Sequence, residues 1–537
     1  MKRISLLFLS IFVLSVANAQ VKKSDEFDFT ISDPYQVVDG QKIYFSKDGE
    51  VLAIKIVRGG YVFQKFSGNK LNESKRQKDE IIPDGFLLEG FKEFNGRFFM
   101  FYSIYDRPNV TEQLFVREID FDNANFKDLG KMLFQVKGKV SGAFTSIGNS
   151  FGFGYKVTDK FDFYTTFDES KLIVQYRRVP EEKRDALNKD IIGMHVYDGN
   201  MEELWSDDVT MPYTEKKMNN IGYTVDKKGN GYILAEVYKD ETTRRVDKEG
   251  NANYDLELIR IDGGNREIST SKINLKDKFI IDLGFFEGKN DEIVIAGYFG
   301  KDYRAGTDGV FMFKLDENGS VSEEVSYEVP VEVMSMYMSE RAQVKMEKRD
   351  EKRDVSMPNM VLREIVFSSD GSLTIIGEKY YVVTHYNAKT GQTTYTYHYD
   401  EVLMTRVDGN GKLAWMKKLP KRQTGGAGRG GMSYFLMSGK DSQYVLFLDN
   451  VKNMEIGIND FPAGHSDGRG GYLTGFKVDD ATGELTKISI FNTADVNDMR
   501  LYQFNTGRIV ELSENEFAVE FYKKKKEDVM VKVTLSE

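Results

Sequence analysis

Apolar residues in this chain alternate with polar ones over short runs and almost never recur at helical spacing. One phrase returns five times: an apolar run ending in Asp, a Gly- or Asn-rich turn, then another run. It reads "MHVYDGNMEELW" (194–205), "LELIRIDGGNREIS" (256–269), "VFMFKLDENGSVS" (310–322), "VLMTRVDGNGKLAW" (402–415) and "LTGFKVDDATGELT" (473–486). Upstream of each unit lies a second hairpin signal, as in "SKDGEVLAIKI" (46–56) or "DKKGNGYILAEV" (226–237). Asp-Gly and Gly-Asn pairs between apolar runs mark hairpins because those turns require positive φ. Two hairpins make a four-stranded antiparallel unit, and units repeating every 45 to 80 residues predict an all-β fold, a β-propeller. Unit starts fall near residues 37, 86, 162, 219, 280, 360, 432 and 501, giving eight blades, with seven as the alternative because 141–157 is hard to place. The last unit shows three strands, so "EFDFTI" (26–31) is expected to close it. Trp205 and Trp415, the only tryptophans, occupy the same place in the repeat and are expected to pack between blades.

The N-terminus changes the picture. Lys2 and Arg3 precede an apolar stretch from Ile4 to Val16, followed by Ala17-Asn18-Ala19. That is the pattern of a secretory signal peptide over 1–19, with an apolar core shorter than a membrane span. Residues 20–537 then form a single exported propeller domain, periplasmic or extracellular and soluble. The chain has no cysteine, which removes disulfides, thiol catalysis, thiolate metal sites and a lipid-anchored N-terminal cysteine. With 74 basic and 84 acidic residues mixed along its length, it lacks the basic stripe of a nucleic-acid binder. The "KKKK" at 523–526 sits between two strand-like runs and reads as a hairpin turn. On its repeat phrase and signal peptide, the chain resembles secreted or periplasmic β-propeller proteins of Bacteroidota with no assigned activity. That resemblance implies fold and compartment, not chemistry.

Candidate motifs fail in this context. Gly464-His465-Ser466-Asp467-Gly468 matches G-x-S-x-G, but a nucleophile elbow needs a following helix, and "RGGYLTGFKVDD" reads as a strand. His465 is also the last histidine, so no later triad member follows. "GAGRGG" (426–431) fits G-x-G-x-x-G yet leads into another strand rather than a helix. His385 and His398 share a predicted hairpin but lie about 13 Å apart along it, too far for one metal ion. The sequence therefore calls for no cofactor, no metal and no catalytic residue.

Loop lengths are more informative. Turns within each hairpin pair are tight on one side, whereas the b–c and d–a connections are long. They include "NVKNMEIGINDFPAGHSDGRGG" (450–471), "KRQTGGAGRGG" (421–431), the segment 334–354 and the hairpin "YYVVTHYNAKTGQTTYTYHYDE" (380–401). Long loops in a compact repeat carry function, and tyrosine, methionine and arginine are enriched at interfaces. Arg429, His465, Asp467 and Arg469 are expected to share a contact patch, and Tyr381, Tyr386, Tyr395 and Tyr397 to form a second one on the hairpin. Met334, Met336 and Met338 are expected to add adaptable apolar surface. The expected function is a binding or scaffold subunit that docks this face on a protein partner, such as an outer-membrane complex, with no nucleic acid and no membrane insertion. The alternative is a carbohydrate-active enzyme with carboxylates in the central funnel and a glycan ligand.

Overall fold

The computed structural model describes residues 24–536 apart from 81–82, 143, 148–154, 180–186, 274, 276–277, 289–291, 303, 305, 317, 339, 351–354, 427–431 and 503. The expected signal peptide therefore lies outside the described residues, as does Arg429. The described chain is all-β, arranged in eight antiparallel-built sheets. Sheets 1 to 7 begin at Gln41–Lys47, Leu87–Phe94, Phe161–Thr165, Met218–Val225, Phe279–Glu287, Met360–Phe367 and Phe435–Ser438. In sheet 8, Ile509–Ser513, Glu516–Tyr522 and Glu527–Leu535 are joined by the N-terminal strand Phe27–Ile31, Phe27 pairing with Leu535 and Ile31 with Val531. Sheet 2 gains further strands from the segment that resisted placement, and Tyr155–Thr158 pairs parallel to its first strand.

The second strand of each sheet is the most apolar because neighbours cover it on both faces. All of Ile293–Gly300 and Ser442–Asp449 is buried. Seven hydrophobic clusters each lie between sheets that follow one another in the chain, and an eighth joins Ala518 and Met530 of sheet 8 to Val51, Ala53 and Phe66 of sheet 1.

The repeat phrase has a physical meaning. Its Asp closes the turn with its own side chain: Asp316 Oδ1 accepts from Asn318 N and Ser320 N at 2.8 Å, and Asp408 Oδ1 from Asn410 N at 3.0 Å and Lys412 N at 2.8 Å. Both tryptophans bridge sheets. Trp205 Nε1 of sheet 3 donates to Gly229 O of sheet 4 at 2.7 Å, and Trp415 Nε1 of sheet 6 donates to Asp480 O of sheet 7 at 2.9 Å. The expected methionine surface is absent at Met334, which is 5% exposed. Helix α1 (Val331–Ser335) turns it into the core between sheets 5 and 6, while the charged helix α2 (Glu340–Asp350) follows.

Sheets 8 and 1 share a buried ionic cluster. Glu520 of sheet 8 accepts from Lys55 Nζ at 2.7 Å and from Lys42 Nζ of sheet 1. Tyr35 and Tyr44 hydroxyls donate to the same carboxylate at 2.7 and 2.8 Å, and Lys42 also reaches Asp528 at 2.9 Å. Burial alone would raise the Glu520 pKa, but Lys55 and Lys42 hold it down at about 2. Burial in turn pulls Lys55 down to about 8 against the attraction of Glu520.

Removing one partner of such a buried pair strands the other charges. Glu520→Gln is therefore expected to cost about 3 kcal/mol or more in urea unfolding at neutral pH. Because the folded-state pKa is depressed, this difference between wild type and variant is present above pH 4.5 and shrinks as pH falls toward about 2. A difference that does not vary with pH would contradict the ionic account.

Candidate functional site

Parts of three long loops are gathered into an upper extension of sheet 6, the upper sheet. Strands Leu373–Asn387 and Gln392–Val407 continue as a ribbon past the body of the sheet, Tyr380 pairing with Tyr399 and Asn387 with Gln392. Gln423–Gly425 pairs with the ribbon at Tyr397–Tyr399, and His465–Ser466 adds to it in parallel, Gln423 opposite His465. Three segments from sheets 6 and 7 thus become one surface.

A buried cluster anchors its base. Glu378, fully buried, forms an ion pair with Lys421 Nζ at 2.7 Å and accepts from Arg363 Nη2 at 2.6 Å and Ser433 Oγ at 2.9 Å. Lys421 Nζ also donates to Tyr399 O at 2.8 Å, which ties the start of the ribbon to the connection between sheets 6 and 7. The Arg363 guanidinium stands 5.5 and 5.8 Å from the Tyr380 and Tyr399 ring centres. Sequence reading passed over this cluster, although a signal existed. A charge interrupts the buried runs of four second strands: Lys55 in "VLAIKI", Glu236 in "ILAEVY", Glu378 in "LTIIGE" and Glu520 in "FAVEFY". A charge in such a strand must find a partner.

On the ribbon, Tyr381 stacks on His398 at 4.4 Å with the rings 2° from parallel. Burial and the Asp400 carboxylate push its hydroxyl pKa up. Toward the tip the side chains open to solvent: Tyr386 is 68%, Tyr395 54% and Val382 39% exposed. Tyr397 pairs with Val382 and is half-buried. His385 and His398 stand four residues apart on the ribbon, because His385 opposes Thr394 and His398 opposes Tyr381.

In the neighbouring loop, His465 and Asp467 are buried and Arg469 is exposed. His465 N donates to Arg422 O at 2.9 Å and Asp467 N to Thr424 O at 2.8 Å, so both residues knit the two loops together. Burial pulls the His465 pKa down to about 4, leaving the ring neutral at physiological pH. Asn450 and Asn453 pin the same loop, donating to Gly464 O and Ala463 O. No group of three or more His, Asp or Glu able to hold a metal ion occurs among the described residues.

The opposite end, where the short turns lie, holds a cavity of about 1050 Å³. Glu287, Glu364, Asp480, Glu511, Glu514 and Glu516 line it, together with Phe167, Phe367 and Phe435, and Lys440 is the one basic side chain in that lining. Several of these acids are already engaged. Glu516 meets Lys532 at 3.0 Å, Asp480 meets Arg406 at 3.5 Å, and Glu287 accepts from Phe167 N at 3.0 Å across the mouth. Burial raises the pKa of both Glu364 and Glu511, and the Glu511 charge raises that of Glu364 further.

No protein-family model matches the chain. No curated protein matches it either. Among solved structures it is similar to a prolyl endopeptidase (10% identity, 93% of this chain against 55% of that one, TM-score 0.39). A polysaccharide lyase (10% identity, 93% against 91%, TM-score 0.35) is also similar, as is the β-propeller domain of the Trilobed protease from Pyrococcus furiosus (11% identity, 88% against 99%, TM-score 0.31). The chain thus spans 55% of the prolyl endopeptidase it matches. Likeness of this degree assigns no activity.

A Cβ at Gly425 would sit 2.2 Å from Asp467 Cβ. Gly425→Val is therefore expected to part the Gln423–Gly425 strand from His465–Ser466. Amide exchange at Asp467 should accelerate, with the melting temperature nearly unchanged because the upper sheet lies outside the inter-sheet core. Unchanged protection at Asp467 would show that the two loops are held by something else.

Proposed function

We propose that this chain is an exported, eight-bladed β-propeller, its ring closed by Phe27–Ile31, that binds a protein partner through its long-loop face. Eight sheets with eight intervening clusters support the blade count, and the N-terminal sequence supports export. The observation that carries the binding role is the upper sheet. A two-stranded ribbon, fixed at its base by buried Glu378, presents Tyr386, Tyr395 and Val382 to solvent beyond the body of the protein. Tyrosines on a stiff support give large contact area at small entropic cost. Arg469 extends the same face, and an outer-membrane complex in the periplasm is the partner class that fits an exported chain of this kind.

Tyr386→Ser with Tyr395→Ser removes exposed rings only, so folding should be unaffected. Tagged protein recovered from gently solubilised envelopes is expected to carry a stoichiometric partner that this double variant loses by tenfold or more. Equal recovery with wild type and variant would remove the binding role from the ribbon.

A second reading rests on the cavity. Glu364, held toward its protonated form by burial and by Glu511, has the character of a general acid, and aromatic side chains beside carboxylates suit a glycan ligand. On this reading Glu364→Gln abolishes turnover in a glycan hydrolysis screen while the ribbon double variant retains it. No turnover by wild-type protein across the screen would discard it.

A further inference from the structure

Several outer strands of the sheets are guarded by charge or proline. Asn72–Asp79 reads NESKRQKD, Lys131–Lys137 carries a lysine at each end, Glu203–Thr214 contains Asp207, Asp208 and Pro212, and Leu413–Leu419 contains Lys417 and Lys418. Such residues keep sheet edges from pairing with other chains.

The outer edge of the ribbon lacks such guards. Pairing of Leu373–Asn387 with Met360–Phe367 ends at Lys379, and the last backbone contact on that side is Tyr380 N donating to Asn359 O at 2.9 Å. Beyond it, no described residue pairs with the outer edge of Tyr381–Asn387. That edge reads YVVTHYN: it has no Lys, Arg, Asp, Glu or Pro, and Val382, Val383 and Thr384 are β-branched. It is long, regular and, from Thr384 to Asn387, solvent-exposed. An open edge of this composition is a template for another strand.

We propose that this edge pairs with the same edge of a second copy, antiparallel about a two-fold axis through Thr384. The sequence is self-complementary in that register. Thr384 opposes its own counterpart, Val382 opposes Tyr386 and Val383 opposes His385, with Tyr381 opposite Asn387 at the ends. Thr–Thr and aromatic–β-branched pairs are among the favourable cross-strand combinations. No like charges of the Lys/Arg or Asp/Glu kind meet across the axis, whereas a second copy of NESKRQKD would bring several together. The pairing joins two ribbons into one four-stranded sheet. On one face, Val382, Tyr386, Tyr395 and Tyr397 of each copy form a continuous aromatic surface, since residues two apart and their cross-strand partners share a face. The proposal concerns the edge of the ribbon, not the partner-binding face, and stands whether or not that face has a partner.

The absence of cysteine makes the test specific. Residues directly opposite in an antiparallel pair have Cβ atoms about 4.5–5.5 Å apart, close enough for a disulfide after small adjustment. In the full mature chain, Thr384→Cys is expected to give a covalent dimer under mild oxidation, while Tyr386→Cys, opposite Val382, gives at least tenfold less. Sedimentation of cysteine-free protein should show a concentration-dependent dimer, and Thr384→Lys, placing two ammonium groups face to face, should weaken it tenfold or more with no change in melting temperature. A monomer at every concentration tested, or equal cross-linking at the two positions, would overturn the pairing. If the protein is monomeric yet the ribbon still captures an envelope partner, self-pairing fails and the binding role survives. A dimer without partner capture gives the converse.

Discussion

The first and last sheets of the chain are joined by one carboxylate. Glu520 collects Lys42, Lys55 and the hydroxyls of Tyr35 and Tyr44, all drawn from the N-terminal part of the chain, 485 residues away in sequence at the widest. The strand pairing of Phe27–Ile31 with Glu527–Leu535 makes the same connection through the backbone. Pairing alone would allow the two ends to slide in register, because ladder hydrogen bonds are alike at every step. The buried side chains Phe27 and Ile31 and the four partners of Glu520 all favour the observed alignment. Most other inter-sheet clusters join sheets adjacent in sequence. This junction spans nearly the whole chain, so forming it carries a large loop-closure cost.

The same device recurs where function is expected. Glu378 with Lys421 and Arg363, and Glu236 with Arg245 at 2.7 Å, place a charge at the corresponding position of second strands. Each lies toward the end of its strand that meets the long loops, so ionic pinning stiffens that face. The short-turn end is organised differently, by Asx turns and by the indoles of Trp205 and Trp415 reaching across to the next sheet.

What could be read from the sequence was what local chemistry writes. The Asp-Gly-Asn turns, alternating runs and paired tryptophans predicted four-stranded units, and strand starts at Leu87, Phe161, Met218, Phe279 and Met360 lie within a residue or two of those expected. The upper sheet was invisible because its added strands, Gln423–Gly425 and His465–Ser466, are two or three residues long and are recruited by non-local pairing. The direction of His465 and Asp467 was hidden for the same reason: polar residues in a loop read as surface until a neighbouring loop covers them. Met334 shows the reverse, an apolar residue in a charged segment that the core claims. Lys55 and Glu520 were legible in principle, as charges inside strands that must be buried on both faces.

The central claim is that the long-loop face, not the short-turn face with its cavity, meets other proteins. A photo-reactive amino acid placed at Tyr395, or in a separate strain at Phe167 on the rim of the cavity, tests it in intact cells. Both positions are more than half exposed, so both side chains can react with whatever lies against them. The account predicts cross-links to a distinct protein, or to a second copy of this chain, from Tyr395 and none from Phe167. Cross-links from Phe167 alone would place the interface at the cavity and contradict it.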